Sequence, residues 1–295
     1  MQTESDTRGS RSERAATADI VLADGRSTRM GRAKAELEWH GSTLLHRVSG
    51  LIGRVVDGPV VVVRAPGQEL PPLPGGVEVT QDAHSGRGPL EGLVAGLGAL
   101  DGRASVAYVS STDVPLLHPA FVNAVLGAVA RDDVDVALPV AQGFRHPLAA
   151  AYRTSLLPAV EELIATERMR PAFLFERCRV HQLGEEELLA DRALEQGDPS
   201  LLSLLNVNDP QEYERARARA APPVTVRCFG TLANGAGREP LATRAATLGA
   251  AADAVGVALD RHVVAALNGD QISRDRELPL ATGDSVAFLA ADAGG

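Results

Sequence analysis

From Ile20 onward, short runs of β-branched and aliphatic residues alternate with longer stretches of helical periodicity. The runs DIVLA, PVVVVRA, VEVTQ, SVAYVSS and DVALPV have the length and composition of strands. Among the helical stretches are STLLHRVSGLI, opened by the capping residues Ser42 and Thr43, and PLEGLVAGLGAL, where Pro89 suits a first turn. Such alternation predicts an α/β domain on a mostly parallel sheet with right-handed crossovers. Ligands of such sheets bind outside the carboxyl ends of the strands, so the loops after the first, third and fourth strands are the expected seat of chemistry.

Near Pro210 the pattern changes. QEYERARARAAPP is a charged helical segment that stops at Pro222-Pro223, through which neither a helix nor a central strand continues. Beyond the prolines the chain reads as a strand VTVRCFG, a turn through Asn234-Gly235 and a helix within LATRAATLGAAADAVGVALD. A hairpin at Asn268-Gly269 then joins VVAAL to a polar strand, and SVAFLA leads to the flexible tail ADAGG. Asn-Gly suits a type I′ turn because both central residues need positive φ. The prediction is a small α+β unit, one helix on a mixed sheet, β-grasp-like (ubiquitin-like) in pattern. The expected division is a disordered tail at 1–17, a first domain at 18–215, a linker at 216–223 and a second domain at 224–295.

Composition agrees with two ordinary globular domains: 295 residues exceed one small core, with 45% hydrophobic and 23% charged content. Aromatics at 3% make the core aliphatic. A net charge of -9, with no basic cluster beside stacking aromatics, argues against polymeric nucleic acid but leaves a free nucleotide possible. Cys178 and Cys228 lie far apart, so neither a disulfide framework nor a zinc site is expected. The polar first residues and the absence of a long apolar run predict no membrane span and a cytoplasmic location. The seven histidines show no ligand spacing; His146 alone is a candidate to face a pocket.

The first strand runs into LADGRSTRMGRAK, where Gly25 and Gly31 permit tight turns and Arg26, Arg29, Arg32 and Lys34 supply positive charge. That is a candidate triphosphate cradle, although it has neither the G-x-G-x-x-G nor the Walker A spacing. Asp113, at the end of SVAYVSSTD, can hold Mg2+ against phosphate oxygens or cap a helix. Asp82, at the end of VEVTQD, can close on a nucleoside or form a turn.

LADGRSTRMGRAK, QDAHSGRGPLEG, SSTDVPLL, RHPLAAAYR and NVNDPQEY occur in the order seen in molybdenum cofactor guanylyltransferases, and the resemblance spans about residues 18–215. It implies a Rossmann-like nucleotidyltransferase domain that transfers GMP from GTP to molybdopterin. It further implies that Leu22, Ala23, Asp24 and Gly25 form the nucleotide loop, with backbone contacts from Leu22, Ala23 and Gly25. Arg29 and Lys34 would neutralise phosphates, Asp82 would hold the nucleoside, and Gly88, Pro89 and Leu90 of GPLEG would meet guanine. Asp113 would bind Mg2+, and Asn208 of NVNDP would add a contact. The second layer of motifs sets the base, so CTP stays open as an alternative nucleotide.

Asp24 departs from the family, which has Gly there. A carboxylate ~4 Å from a phosphate costs about 4 kcal/mol at an effective dielectric near 20. An impaired site acting as a binding module is therefore the alternative.

VRCFGTLANGAG, the LNG hairpin and TGDSVAFLAADAGG resemble the sulfur-carrier subunit of molybdopterin synthase. That resemblance implies a thiocarboxylate on Gly295, with Gly294 keeping the terminus narrow enough to enter an active site. The implied partners are an ATP-dependent adenylating enzyme, a sulfur donor and the large subunit of molybdopterin synthase.

Overall fold

A computed structural model describes residues 17–23, 33–84, 86–130, 133–236 and 239–290. The first sheet contains β1 (Thr17–Leu22), β2 (Val60–Arg64), β3 (Glu78–Gln81), β4 (Val106–Ser111), β5 (Val136–Ala141), β6 (Phe144–Arg145), β7 (Ala149–Arg153) and β8 (Val180–Gly184). Its helices are α1 (Leu44–Ile52), α2 (Pro89–Ala99), α3 (Pro119–Val129), α4 (Leu157–Ala165), α5 (Pro171–Phe175), α6 (Glu185–Leu189) and α7 (Arg192–Gly197). α8 (Pro210–Arg217) leads to the second sheet, made of β9 (Pro223–Cys228), β10 (Leu241–Arg244), β11 (Val263–Leu267), β12 (Gln271–Ser273) and β13 (Ser285–Ala290). Two helices accompany it, α9 (Ala233–Ala236) and α10 (Leu248–Ala254).

The first sheet runs β3-β2-β1-β4-β7-β5-β6, with β8 also on β5. β3, β2, β1 and β4 are mutually parallel, while β7 is antiparallel to both β4 and β5. This is the Rossmann-like α/β arrangement expected from the first half of the chain. The antiparallel insertion was not legible, because β7 is AAAYR: alanine is poor in intrinsic strand preference, and here neighbours on both faces supply the burial.

Separate apolar clusters cover the two faces. One joins α1 and α3 to Val21, Val62 and Tyr108, and the other joins α2 and α4 to Ile20, Val61 and Val109. Each fully buried Val or Leu contributes roughly 1.5–3 kcal/mol. α2 comes unusually near the sheet: a Cβ on Gly96 would sit 2.5 Å from Ile20 Cγ2, and one on Gly92 2.8 Å from Leu22 Cδ2. Gly92 and Gly96, which lower the helix preference of PLEGLVAGLGA, are thus what let it lie on β1.

The second sheet has the order β10-β9-β13-β11-β12, with β9 and β13 parallel and the remaining neighbours antiparallel. α10 packs on one face through Leu248, Ala251 and Ala252 against Val226, Val286 and Phe288. At the β11–β12 hairpin Asn268 and Gly269 both have positive φ, 54° and 92°, as the Asn-Gly turn requires.

The helix expected within LATRAATLGAAADAVGVALD is α10, opened by the Thr247 cap, and LATR before it is strand β10, paired with β9. Asn234-Gly235 lies within the short helix α9 rather than in an open turn. At α1, Thr43 is the cap and accepts from His46 N–H, whereas Ser42 precedes it.

Candidate active site

β1 and β4 are parallel neighbours in register, so Leu22 and Ser111 end side by side. Beyond them lies a cleft of about 320 Å3 lined by Leu22, Lys34, Asp82, Gly88, Pro89, Thr112 and Asp113, among others. Segments far apart in the chain therefore meet at the carboxyl edge of the sheet, where the α/β pattern places ligands.

Asp113 is buried and does not cap a helix, since α3 starts at Pro119 with His118 as its cap. Its carboxylate accepts three hydrogen bonds, which leaves one of about four lone-pair sites open. Lys34 Nζ donates to Oδ2 at 2.7 Å, Ser111 Oγ donates to Oδ1 at 2.5 Å, and Asn206 Nδ2 donates to Oδ1 at 3.2 Å. Lys34 also donates to Asn208 Oδ1 at 3.1 Å. An ammonium has three donors, so one remains for a phosphate oxygen. The pair is charge-assisted and mostly shielded from water, which strengthens it and fixes both groups.

The segment Asn206-Val207-Asn208 supplies the amides through strand-like alternation. Val207 is buried against Leu37, Trp39 and Leu44, and its N–H donates to the Asp113 carbonyl at 2.9 Å, leaving the flanking asparagines to meet Asp113 and Lys34. A cap at the start of α8 locks this segment. Asp209 accepts from Glu212 N–H, Glu212 accepts from Asn208 N–H, and Pro210 occupies the first turn.

Of the remaining expected residues, Asp82 is buried at the end of β3 and faces the cleft; its N–H donates to the Arg64 carbonyl at 3.0 Å. Gly88 caps α2 with φ 104°, a conformation that favours glycine, and Pro89 comes next. Leu90 does not line the cleft, because its side chain belongs to the core below α2. Ala23 has its backbone in use: its N–H donates to Val63 and its carbonyl accepts from Gln68 Nε2 at 3.0 Å. The N–H is engaged because β1 continues its pairing with β2. Asp24, Gly25, Arg26, Arg29, Gly31 and Arg32 lie outside the described residues, as do Gly294 and Gly295.

Sequence reasoning missed Ser111 and Asn206; the alternation N-V-N beside a helix cap was the signal available for the latter. It also missed a second cleft of about 690 Å3, lined by Asn206, Asn208, Gln142, Phe144, His146 and Leu205 among others. Phe144 is 71% exposed there. His146 lines this cleft rather than the first, and burial, only partly offset by a backbone hydrogen bond at Ala141, lowers its pKa. Its ring is thus held neutral near pH 7. No group of three or more His, Cys, Asp or Glu suited to a metal occurs among the described residues. Nor is any helix there long and apolar enough to cross a membrane.

A family model described as the MobA-like NTP transferase domain matches residues 20–183, more than half of the chain. The chain belongs to this family. As a MobA-like NTP transferase it is a nucleotidyltransferase. A molybdenum cofactor guanylyltransferase of Desulfosudis oleivorans is 31% identical over 204 residues, covering 69% of this chain and 95% of that protein. A probable molybdenum cofactor guanylyltransferase of Mycobacterium ulcerans is 37% identical over 169 residues, 56% of this chain and 82% of that one. In fold, the MobA-like part resembles molybdopterin-guanine dinucleotide biosynthesis protein A of Archaeoglobus fulgidus. The TM-score is 0.53 at 22% identity, over 68% of this chain and 96% of that structure.

Proposed function

We propose that this protein transfers GMP from GTP to the terminal phosphate of molybdopterin and releases pyrophosphate. The observation that carries the reading is the Lys34–Asp113–Asn208 contact at the joined ends of β1 and β4, on the border between two clefts. GTP would occupy the cleft of Asp82, Gly88 and Pro89, and the pterin the wider cleft of Phe144 and His146. A phosphate oxygen of the acceptor attacks the α-phosphorus of GTP, and the bond to the β-phosphate oxygen breaks. Such a transfer needs no nucleophilic side chain. Holding the groups in line and neutralising charge carries it, which would be the work of Lys34 and, from the sequence before it, Arg29.

The donor set also fits Mg2+, which takes one or two carboxylates and completes its shell with water and phosphate oxygens. Asp113 would hold it, with the Asn208 side-chain oxygen close by. When bound, Mg2+ would draw charge from the phosphates. Lys34 orients the carboxylate by its 2.7 Å contact.

The second sheet supports a further part of this reading: residues 224–295 form a β-grasp sulfur carrier, joined through 216–223 to a transferase domain at 18–215. Numbered within its own unit the strand order is 2-1-5-3-4, with the first and last strands parallel and central, as a β-grasp requires. Gly295 would be adenylated by an ATP-dependent enzyme, AMP would give way to sulfur, and the large subunit of molybdopterin synthase would receive it. The cysteines suit this poorly: burial, then Asp135, pushes the Cys178 thiol up to about 11, and burial raises that of Cys228.

The test incubates purified protein with molybdopterin, Mg2+ and GTP, CTP or ATP in turn. A guanine dinucleotide formed with GTP alone is expected. A dinucleotide formed with CTP alone, or none with any nucleotide, overturns the guanylyl assignment. For the carrier, the adenylating enzyme, ATP and a sulfur donor should replace one terminal oxygen by sulfur, a mass change lost on deleting Gly295.

A further inference from the structure

The second sheet is seated on α1 by contacts that leave little play. Arg54 grips Asp284 with two parallel hydrogen bonds, Nη1 to Oδ2 at 2.9 Å and Nη2 to Oδ1 at 2.6 Å, and both side chains are nearly inaccessible, at 7% and 6%. One turn earlier, a Cβ on Gly50 would lie 2.8 Å from Pro279 Cδ and 2.9 Å from its Cγ, so helix and proline meet where only a hydrogen fits. Ala281 completes the seam by joining the core cluster of the first sheet.

The seam reaches the loop behind Asp113. Arg47 of α1 is buried and donates to three carbonyls from three segments. Nε donates to Pro115 at 2.6 Å, Nη1 to Ala246 at 3.2 Å and Nη2 to Leu280 at 3.3 Å. Pro115 stands two residues beyond Asp113, and the other two carbonyls belong to the second sheet's unit. At the far end of the same loop, His118 Nδ1 accepts from Ala120 N–H at 3.1 Å, which leaves the ring proton on Nε2, donating to Thr282 at 3.0 Å.

We propose that the docked C-terminal unit is part of the scaffold of the nucleotide site: through Arg47 and His118 it fixes the loop Val114–His118 and so the Asp113 carboxylate. Arg47 is a positioning residue. Undocking strips it of two of its three carbonyls and admits water to a buried guanidinium, so the Pro115 contact loses its fixed geometry. The loop then moves with respect to Lys34 and Asn208, and transfer slows. The proposal rests on the nucleotidyl-transfer reading of the cleft, and it makes transfer depend on where the C-terminal unit sits.

The experiment uses the full chain with Gly50→Ala, Pro279→Ala and the double variant. Alanine for glycine favours the helix itself by up to about 1 kcal/mol, so α1 is expected to survive the change. Small-angle scattering reads docking, hydrogen exchange reads residues 112–118, and initial rates separate kcat from KM. Gly50→Ala should enlarge the particle, speed exchange in the loop and lower kcat about tenfold, a change of roughly 1.4 kcal/mol in the barrier. The double variant should restore all three, since alanine at 279 lacks the Cγ and Cδ that collide. Undocking with loop exchange and kcat unchanged overturns the proposal; so does a Gly50→Ala protein that stays docked, or a double variant that is not rescued. If the wild type transfers no nucleotide while loop exchange still tracks docking and rescue, the transfer reading fails and the coupling stands.

Discussion

In β2 and β4 nearly every side chain is buried, because helices cover both faces of the first sheet, whereas β9 alternates between exposed or half-buried positions and buried ones and rests a single face on α10. Burial on two sides leaves polar chemistry only the strand ends. Asp82 and Asp113 sit there, each just past the last strand residue. One-sided burial instead leaves the second sheet a solvated face, which carries the exposed apolar side chain of Ile272. The same hydrophobic effect thus confines function to an edge in one sheet and frees a face in the other.

The strongest challenge to this contrast is at the polar edge. Asp113→Asn keeps the shape but removes the charge facing Lys34, and should lower transfer on the order of 1,000-fold, with far-ultraviolet circular dichroism unchanged. Near-normal turnover would mean the edge is not the reaction site. Next in size is the one-sided core. Phe288→Ala should cost about 3–5 kcal/mol and bring the second sheet down first, so calorimetry should resolve two transitions. A single shifted transition would show that the seam makes the two sheets one cooperative unit.

A smaller effect concerns an exception inside the two-sided sheet. Asp19 of β1 is fully buried beside Tyr108, and among the described residues no side chain hydrogen-bonds either carboxylate oxygen. Burial holds its pKa well above the ordinary range. The folded protein therefore binds this proton more tightly than the unfolded chain does. Its contribution is fully present below the unfolded pKa, about 3.9, and is lost as pH rises toward the folded value, by about 1.4 kcal/mol per unit. Urea midpoints from pH 5 to 8 should fall more steeply for the wild type than for Asp19→Asn; equal slopes would show Asp19 ionised in the fold. The smallest effect belongs to the free face: Ile272→Lys, at a position 62% exposed, should change stability by no more than about 0.5 kcal/mol in the same titration. A loss of several times that would mean the face is covered.

The positions of Lys34, Asp82 and Asp113 were readable because each comes after a strand or closes a motif, and strand ends are where an α/β sheet receives ligands. Asn268-Gly269 was readable because its turn chemistry is local. β7 and β10 were not: AAAYR and LATR each hold one strand-favouring residue, Tyr152 and Thr243, and their form comes from partners up to tens of residues away. Ser111 and Asn206 were invisible for the same reason, since each matters through a hydrogen bond to Asp113 rather than through its own neighbours.

The sequence by itself therefore determined the two hydrophobic patterns, the break between them at Pro222-Pro223, the turn at Asn268-Gly269 and the segments that carry charge, all properties of residues within a few positions of one another. Only the tertiary structure decided that Lys34, Asp113, Asn206 and Asn208 share one network. It alone also decided that Arg47 ties the loop behind that network to the second sheet. Those contacts span 68 to 233 residues of chain, and chain closure over such distances leaves no periodic trace in the sequence, because any side chain of the right length can meet any carbonyl that packing brings within reach.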